Sequence, residues 1–240
     1  MSAGILLETS DIEVGYGKTQ VLHGLSIQLA YGQNIGLFGP NGHGKSTLLK
    51  TISGLLRPWR GTIHEQGERI DGLSPTQIVA RGITHVAQSS LLFPEMTVLE
   101  NLWLAGQPKR VRAAWTTYLE KVFELFPHLA ERRKQLSRTL SGGERQMLAI
   151  GMGLMADPKI LMLDEPTLGL APRAKKSLCE AIIRIGSAGL PLITVDQDVE
   201  FLMSFSNKLY FINHGAVTSA FDKDSQLARS DIVGMYFGRK

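Results

Sequence analysis

The sequence predicts an α/β fold, with a parallel-sheet core, an N-terminal antiparallel β subdomain and an inserted α-helical subdomain. Three observations predict it. A glycine loop, Gly39-Pro40-Asn41-Gly42-His43-Gly44-Lys45-Ser46, sits between a short apolar run, Ile35-Gly36-Leu37-Phe38, and a helix-like run, Thr47 to Ile52. Short apolar runs at Ile83 to Ala87, Lys159 to Leu163 and Pro191 to Val195 alternate with helical patterns, as the strands of α/β units do. The stretch from Phe93 to Asp157 is strand-poor and helix-rich, unlike what precedes it. The expected organisation is one domain over residues 1–240, with a core at 1–92 and 158–240 and the helical insertion at 93–157.

Composition narrows the classes. A chain of 240 residues holds one large domain or two small ones. A hydrophobic fraction of 43% with 20% charged residues is ordinary for a protein with a real core. The net charge of +4 is too small to argue for nucleic acid, although it suits work beside an anionic membrane surface. The single cysteine, Cys179, allows no internal disulfide and fits a reducing compartment. Met1 to Glu8 lacks a basic region followed by an apolar run, so no signal peptide is expected. No segment reaches the ~18 consecutive apolar residues of a membrane span, so any membrane role is expected to pass through partner chains.

Taken in order, Ile5 to Glu8 and Asp11 to Val14 read as two short strands, and Gly15-Tyr16-Gly17 as a turn. Tyr16 is a turn residue with a packing role or an aromatic platform for a nucleotide base. Val21 to Leu29 is a strand, and Tyr31-Gly32-Gln33 turns into the strand before the glycine loop. That loop fits G-x-x-x-x-G-K-[ST], a phosphate cradle. Its glycines let the backbone bend and approach an anion without a Cβ in the way. N–H groups at the start of the following helix favour negative charge. Lys45 is expected to reach the β- and γ-phosphates, and the Ser46 hydroxyl to sit on Mg²⁺.

Gly61 to Glu65 is a further strand, and Gly67-Glu68 marks a turn. Ser74-Pro75-Thr76-Gln77 opens a helix with a capping box and Pro at the first helical position, ending at Gly82. The strand Ile83 to Ala87 ends on Gln88, which is either a satisfied surface side chain or a polar group placed to meet a ligand at the carboxyl end of a strand in an open α/β sheet. Thr97-Val98-Leu99-Glu100 is another capping box, for a helix through Leu104. Val111 to Phe126 reads as one helix, and the basic clusters at Lys109-Arg110 with Arg112 and at Arg132-Arg133-Lys134 read as solvated faces. Ser141-Gly142-Gly143-Glu144 stands directly before the apolar run Met147 to Met155, a second helix tip with exposed N–H groups. One nucleotide cannot touch both tips if they lie far apart, and the arrangement makes sense if two chains pair head to tail. Lys159 to Leu163 is a buried strand running into Asp164 and Glu165, which alternation would send to opposite faces. Asp164 would hold Mg²⁺, and Glu165 would orient or deprotonate the attacking water. A helix from Arg173 to Ile185, a strand from Pro191 to Val195, and a hairpin of Lys208 to Asn213 with Ala216 to Ser219 follow. A surface helix from Ser225 to Phe237 closes the reading. The six histidines show no spacing typical of zinc.

Together these motifs resemble the ATP-binding subunit of an ABC transporter, a P-loop NTPase with a RecA-like core, over essentially the whole chain. Tyr16 matches the base-stacking aromatic, Gly39 to Ser46 with the following Thr47 the Walker A motif, and Gln88 the Q-loop. Ser141-Gly142-Gly143-Glu144 matches the signature, and Ile160 to Glu165 the Walker B motif with its catalytic Glu. The resemblance implies ATP and Mg²⁺ as cofactors. It puts Ser46, Gln88 and Asp164 around the metal, and Tyr16, residues 39–47, Gln88, Ser141, Gly142 and Gly143 around the nucleotide. Glu165, Gln197 and Lys45 are the implied catalytic residues. It further implies a head-to-tail dimer, with itself or a homologous ATPase, on the cytoplasmic face of the inner membrane. The partners would be permease subunits, received in a groove near Gln88, and indirectly a solute-binding protein, with no nucleic acid. One position departs: where the family usually has His after the strand at Pro191 to Val195, this chain has Gln197. Val195-Asp196-Gln197-Asp198, Leu168 to Pro172 and Leu92 to Val98 resemble the subgroup that imports branched-chain amino acids and related amides such as urea. Alternatives are an ATPase of another transporter type, such as lipid or lipopolysaccharide export, a non-transport ABC ATPase, and a non-hydrolysing scaffold.

Overall fold

The computed structural model describes residues 4–88, 92–107 and 109–223. The expected helix from Ser225 to Phe237 lies outside them. β1 (Ile5–Tyr16) and β2 (Thr19–Ala30) form a long antiparallel hairpin. β1 is therefore one strand and not two. Between Thr9 and Ile12 it advances one residue more than its partner, with Asp11 at φ 51. A bulge of that kind breaks the apolar alternation without breaking the strand.

β3 (Ile35–Phe38) is buried at every position and leads through the glycine loop into α1 (Lys45–Ile52). β4 (Arg60–Glu65) and β5 (Glu68–Arg69) are joined by Gln66 and Gly67, both at positive φ. α2 (Pro75–Arg81) starts at its Ser-Pro signal, where the Ser74 N–H donates to Gln77 Oε1 at 2.9 Å, and stops at Gly82, φ 100. β6 (Ile83–Val86) follows, then α3 (Val98–Ala105), with Thr97 Oγ1 accepting from the Glu100 N–H at 3.2 Å.

The single helix expected from Val111 to Phe126 is instead α4 (Lys109–Arg112) and α5 (Trp115–Leu125), followed by α6 (Pro127–Glu131). A turn from the Ala114 N–H to the Val111 carbonyl separates the first two. Pro127 pushes Phe126 out of the helical region, to φ −128 and ψ 72. α7 (Gly142–Met155), β7 (Ile160–Asp164), α8 (Pro172–Ser187) and β8 (Leu192–Val195) follow the expected order. α9 (Val199–Phe205) was not anticipated. Its seven residues are too few for periodicity to show, yet the Asp198 carboxylate caps it by accepting from the Phe201 N–H at 3.0 Å. β9 (Lys208–Asn213) and β10 (Ala216–Asp222) form the last hairpin. A register shift between Val217 and Ser219 masks the far end of β10 from the alternation pattern.

Contacts divide the chain into two compact units, Met1–Leu73 with Ile193–Lys240, and Ser74–Leu192. The first holds an antiparallel sheet of order β2-β1-β4-β5 and a second sheet in which β3 lies between β8 and β9, parallel to both, with β10 antiparallel on β9. A four-residue strand buried on both faces is what a parallel interior position requires. Leu37, Phe38, Leu48, Leu49 and Ile212 form the core around it, and the Phe38 and Phe211 rings meet at 5.1 Å. The Tyr210 hydroxyl both donates to the Gln28 carbonyl and accepts from the Gln28 N–H, each at 3.1 Å, which ties the two sheets together.

In the second unit β6 pairs in parallel with β7, and α7 is the buried helix, packed by α3, α5 and α6. Close packing depends on Gly151, where a Cβ would come within 2.9 Å of Val122. Among the described residues no helix is long and apolar enough to cross a membrane.

Candidate nucleotide-binding site

In the first unit the loop after β3 has the form of an anion cradle. Gly39, Gly42 and Gly44 take φ of 145, 79 and 96, values that exclude ordinary side chains. A Cβ on Gly39 would lie 2.0 Å from the Ile212 carbonyl oxygen, and one on Gly44 would lie 2.4 Å from Leu22. At Gly42 a Cβ would meet nothing, so the middle of the loop opens outward. α1 begins with no acidic residue in its first turn and no side-chain cap, the form of helix start that suits an anion. Lys45 is only 4% exposed, and its ammonium donates to the Gly39 carbonyl at 2.8 Å and the Pro40 carbonyl at 2.9 Å. Ser46 and Thr47 continue the helix beside it. These residues fit a triphosphate with its divalent ion: the cradle exists because no Cβ intrudes, and no side chain caps the helix that follows.

Tyr16, 47% exposed at the end of β1, presents its ring with the Lys50 ammonium 5.9 Å from its centroid. Gln197 is exposed, beside Asp196, whose carboxylate is buried and accepts from the Asp198 N–H at 2.9 Å. His43 is bound by its Nδ1 to the backbone N–H of His214 at 2.8 Å. Nothing in a sequence spacing of 171 residues signals that contact.

In the second unit the structure brings two expected residues together: the Gln88 amide donates to Glu165 Oε2 at 2.9 Å. Asp164 closes β7 and is 3% exposed. The expectation that strand alternation separates Asp164 from Glu165 is corrected. β7 ends at Asp164, and Glu165 lies beyond it at φ 47. A left-handed residue at that point turns the chain, so the backbone, not the pleat, aims the carboxylate. A cavity of about 300 Å³ near Gln88 is lined by Val86, Ala87, Leu92, Ala105, Ala149 and Met152 among others.

Ser141 and Gly142 are exposed at the tip of α7, and a Cβ on Gly142 would meet nothing within 4 Å. Gly143 is different: a Cβ there would strike Ala174 at 2.5 Å. The tip is locked by a capping box. Ser141 Oγ accepts from the Glu144 N–H at 3.3 Å, and Glu144 Oε2 accepts from the Ser141 N–H at 2.8 Å. Arg132, expected to be only solvated, is paired with Glu144 at 2.7 Å. Burial raises the Glu144 carboxyl, but hydrogen bonds from Ser141 and the nearby Arg132 and His128 outweigh it and hold the pKa below its ordinary value. A lowered folded-state pKa adds stability above the unfolded value, and that stability is lost as pH falls through the folded value. Glu144→Gln, which keeps a neutral capping box, is therefore expected to lower stability by on the order of 1 kcal/mol at neutral pH. The gap from wild type should close in acid, below the ordinary glutamate range. Urea unfolding at the two pH values checks it, and a gap that is the same at both would refute the assignment.

Fold and glycine loop together define an α/β P-loop protein. The family model described as ABC transporter matches residues 22–168. The chain is 35% identical to the high-affinity branched-chain amino acid transport ATP-binding protein BraG of Pseudomonas aeruginosa, over 97% of this chain and 100% of that one. It is 33% identical to a probable branched-chain amino acid transport ATP-binding protein, LivF of Archaeoglobus fulgidus, over 88% and 90%. It is 32% identical to the glutamine transport ATP-binding protein GlnQ of Escherichia coli, over 88% and 89%. A crystal structure of the ADP conformation of an ATP-binding cassette of an ABC transporter superposes with a TM-score of 0.83 at 26% identity, covering 98% of this chain and 100% of the other. The chain belongs to the ABC transporter family, as an ATP-binding cassette protein.

Proposed function

We propose that this protein is the Mg²⁺-dependent ATPase subunit of an importer for branched-chain amino acids or related amides such as urea. The observation that carries the ATPase part is the cradle of three left-handed glycines before an uncapped helix, with Lys45 held inside it. The solute class rests on the relatives' named substrates and on the Val-Asp-Gln-Asp segment at residues 195–198.

Each residue then has a role. Residues 39–47, all but Pro40 with a backbone N–H, surround the phosphates, and Lys45 supplies a positive charge to the β- and γ-phosphates. Tyr16 offers its exposed ring to the base. Ser46, Asp164 and Gln88 are the residues that would hold Mg²⁺, which would supply positive charge against the phosphates. Bound MgATP supplies the electrophilic γ-phosphoryl group. Glu165 orients the attacking water or takes its proton. Gln197 donates a hydrogen bond to the phosphate but, unlike His, brings no positive charge. Ser141, Gly142 and Gly143 of one protomer offer the open tip of α7 to the nucleotide of a head-to-tail partner.

ATP binds the closed dimer better than the open one, and that difference in affinity moves the membrane subunits. The cavity beside Gln88 suits an apolar helix face of a permease, which would hold this protein at the cytoplasmic side of the inner membrane. Purification of the tagged protein from its own membranes is expected to bring down permease subunits and a solute-binding protein loaded with a branched-chain amino acid or amide. Recovery with an export complex instead would overturn the import reading.

A further inference from the structure

A second cavity of the Ser74–Leu192 unit, about 440 Å³, lies between α5 and the carboxyl ends of α7 and α8. That volume is within the range of small-molecule sites, about 300–1,000 Å³. Its floor is apolar, formed by Val122, Leu125, Leu154, Pro158, Ile185 and Leu190. Val122 and Ile185 are buried, while the three leucines are half-buried and keep apolar surface open to solvent. Charged side chains of both signs line the same cavity. Arg184 of α8 donates through Nη2 to the Leu125 carbonyl at 3.1 Å, which leaves other N–H groups of its guanidinium to spare. Lys121 of α5 has its ammonium 5.6 Å from the centroid of the Tyr118 ring. Glu124 follows three residues later, a helical spacing at which Lys and Glu can pair. Yet among the described residues none of Lys121, Glu124 and Arg184 is in an ion pair. Acid and bases share one pocket without neutralising each other.

We propose that this pocket binds a zwitterionic amino acid with an apolar side chain. The ligand has the same three parts as the pocket. Its side chain covers the leucines of the floor, and removing that surface from water favours binding. Its carboxylate meets Arg184 and Lys121, and its ammonium meets Glu124. The last carbonyls of α7, which ends at Met155, and of α8, which ends at Ser187, add partial negative charge on the ammonium's behalf. A purely anionic ligand would face Glu124, and a purely cationic one Arg184 and Lys121. A small polar zwitterion would leave the floor wet. None of these residues is among those assigned to ATP. The fourteen residues of α7, about 20 Å of helix, separate the pocket from the Ser141 tip. The site therefore does not rest on the nucleotide reading.

The test is a ligand-observed NMR titration of the full chain with L-leucine and three analogues. Isocaproate lacks the amino group, isoamylamine lacks the carboxylate, and glycine lacks the apolar side chain. Wild type is expected to bind leucine with a dissociation constant of about 0.1–1 mM, and each analogue about tenfold or more weakly. Glu124→Gln should weaken leucine about three- to tenfold and leave isocaproate unchanged, since isocaproate has no ammonium to lose a partner. Lys121→Met should weaken leucine and leave isoamylamine unchanged. Both variants should keep wild-type unfolding and wild-type affinity for MgATP. No leucine binding by wild type at about 10 mM overturns the proposal. So does isocaproate or glycine binding as tightly as leucine, the first of which would mark a site for fatty acids. Glu124→Gln that binds leucine like wild type, or that weakens leucine and isocaproate equally, overturns it too, because the carboxylate would then not be reading the ammonium.

Discussion

Lys45→Ala is expected to weaken ATP binding by about 100-fold or more, the loss of charged hydrogen bonds to phosphate. The reasoning starts from burial. A 4%-exposed ammonium is costly to keep, and here the Gly39 and Pro40 carbonyls compensate it at 2.8 and 2.9 Å. That arrangement leaves the charge at the centre of a glycine cradle, where a triphosphate would add to its partners. Alanine removes the charge but leaves the glycine conformations, since those are set by backbone packing against Ile212 and Leu22. Unfolding should therefore shift much less than affinity does. Calorimetry with MgATP measures the effect, and an unchanged dissociation constant would refute the loop assignment.

Glu165→Gln is expected to keep ATP binding and to slow turnover by about 10²- to 10⁴-fold, the range for loss of a general base. The substitution is nearly isosteric. Its amide oxygen can still accept from Gln88, as Oε2 does now at 2.9 Å, and the left-handed backbone at φ 47 is equally open to either side chain. What changes is the ability to take a proton. The mutant should therefore accumulate as an ATP-bound dimer, seen by size exclusion with and without ATP. Gln197→Ala, which removes a neutral donor and no charge, should cost much less in the same phosphate-release assay. Wild-type turnover in Glu165→Gln, or an equally deep loss in Gln197→Ala, would show that the base has been misassigned.

The sequence spoke most clearly where local chemistry forces local structure. Ser74-Pro75 and Gly82 bounded α2 because a cap, a fixed φ and a left-handed glycine leave few alternatives. The glycine loop and the helix start after Ser141 were legible for the same reason. Elements were misread where the tertiary context overrode the pattern. The bulge at Asp11 made one strand look like two, and Pro127 with the turn at Ala114 divided what looked like one amphipathic helix. At the site, each motif was visible, but the pairing of Gln88 with Glu165 and of His43 with His214 was not. Hydrogen bonds across such separations carry no periodicity. The aim of Glu165 was likewise hidden, because it depends on one backbone torsion that no neighbouring residue type dictates.

The contact between Gly143 and Ala174 has a mechanical consequence. The first turns of α7 and α8 nest so closely that a single methyl group has no room between them. Packed surfaces of that kind do not slide in small increments, since side chains interlock or clash. The two helix starts must travel as one stiff lever. A push on the segment leading into Pro172 would swing the serine at the head of α7 through the same arc.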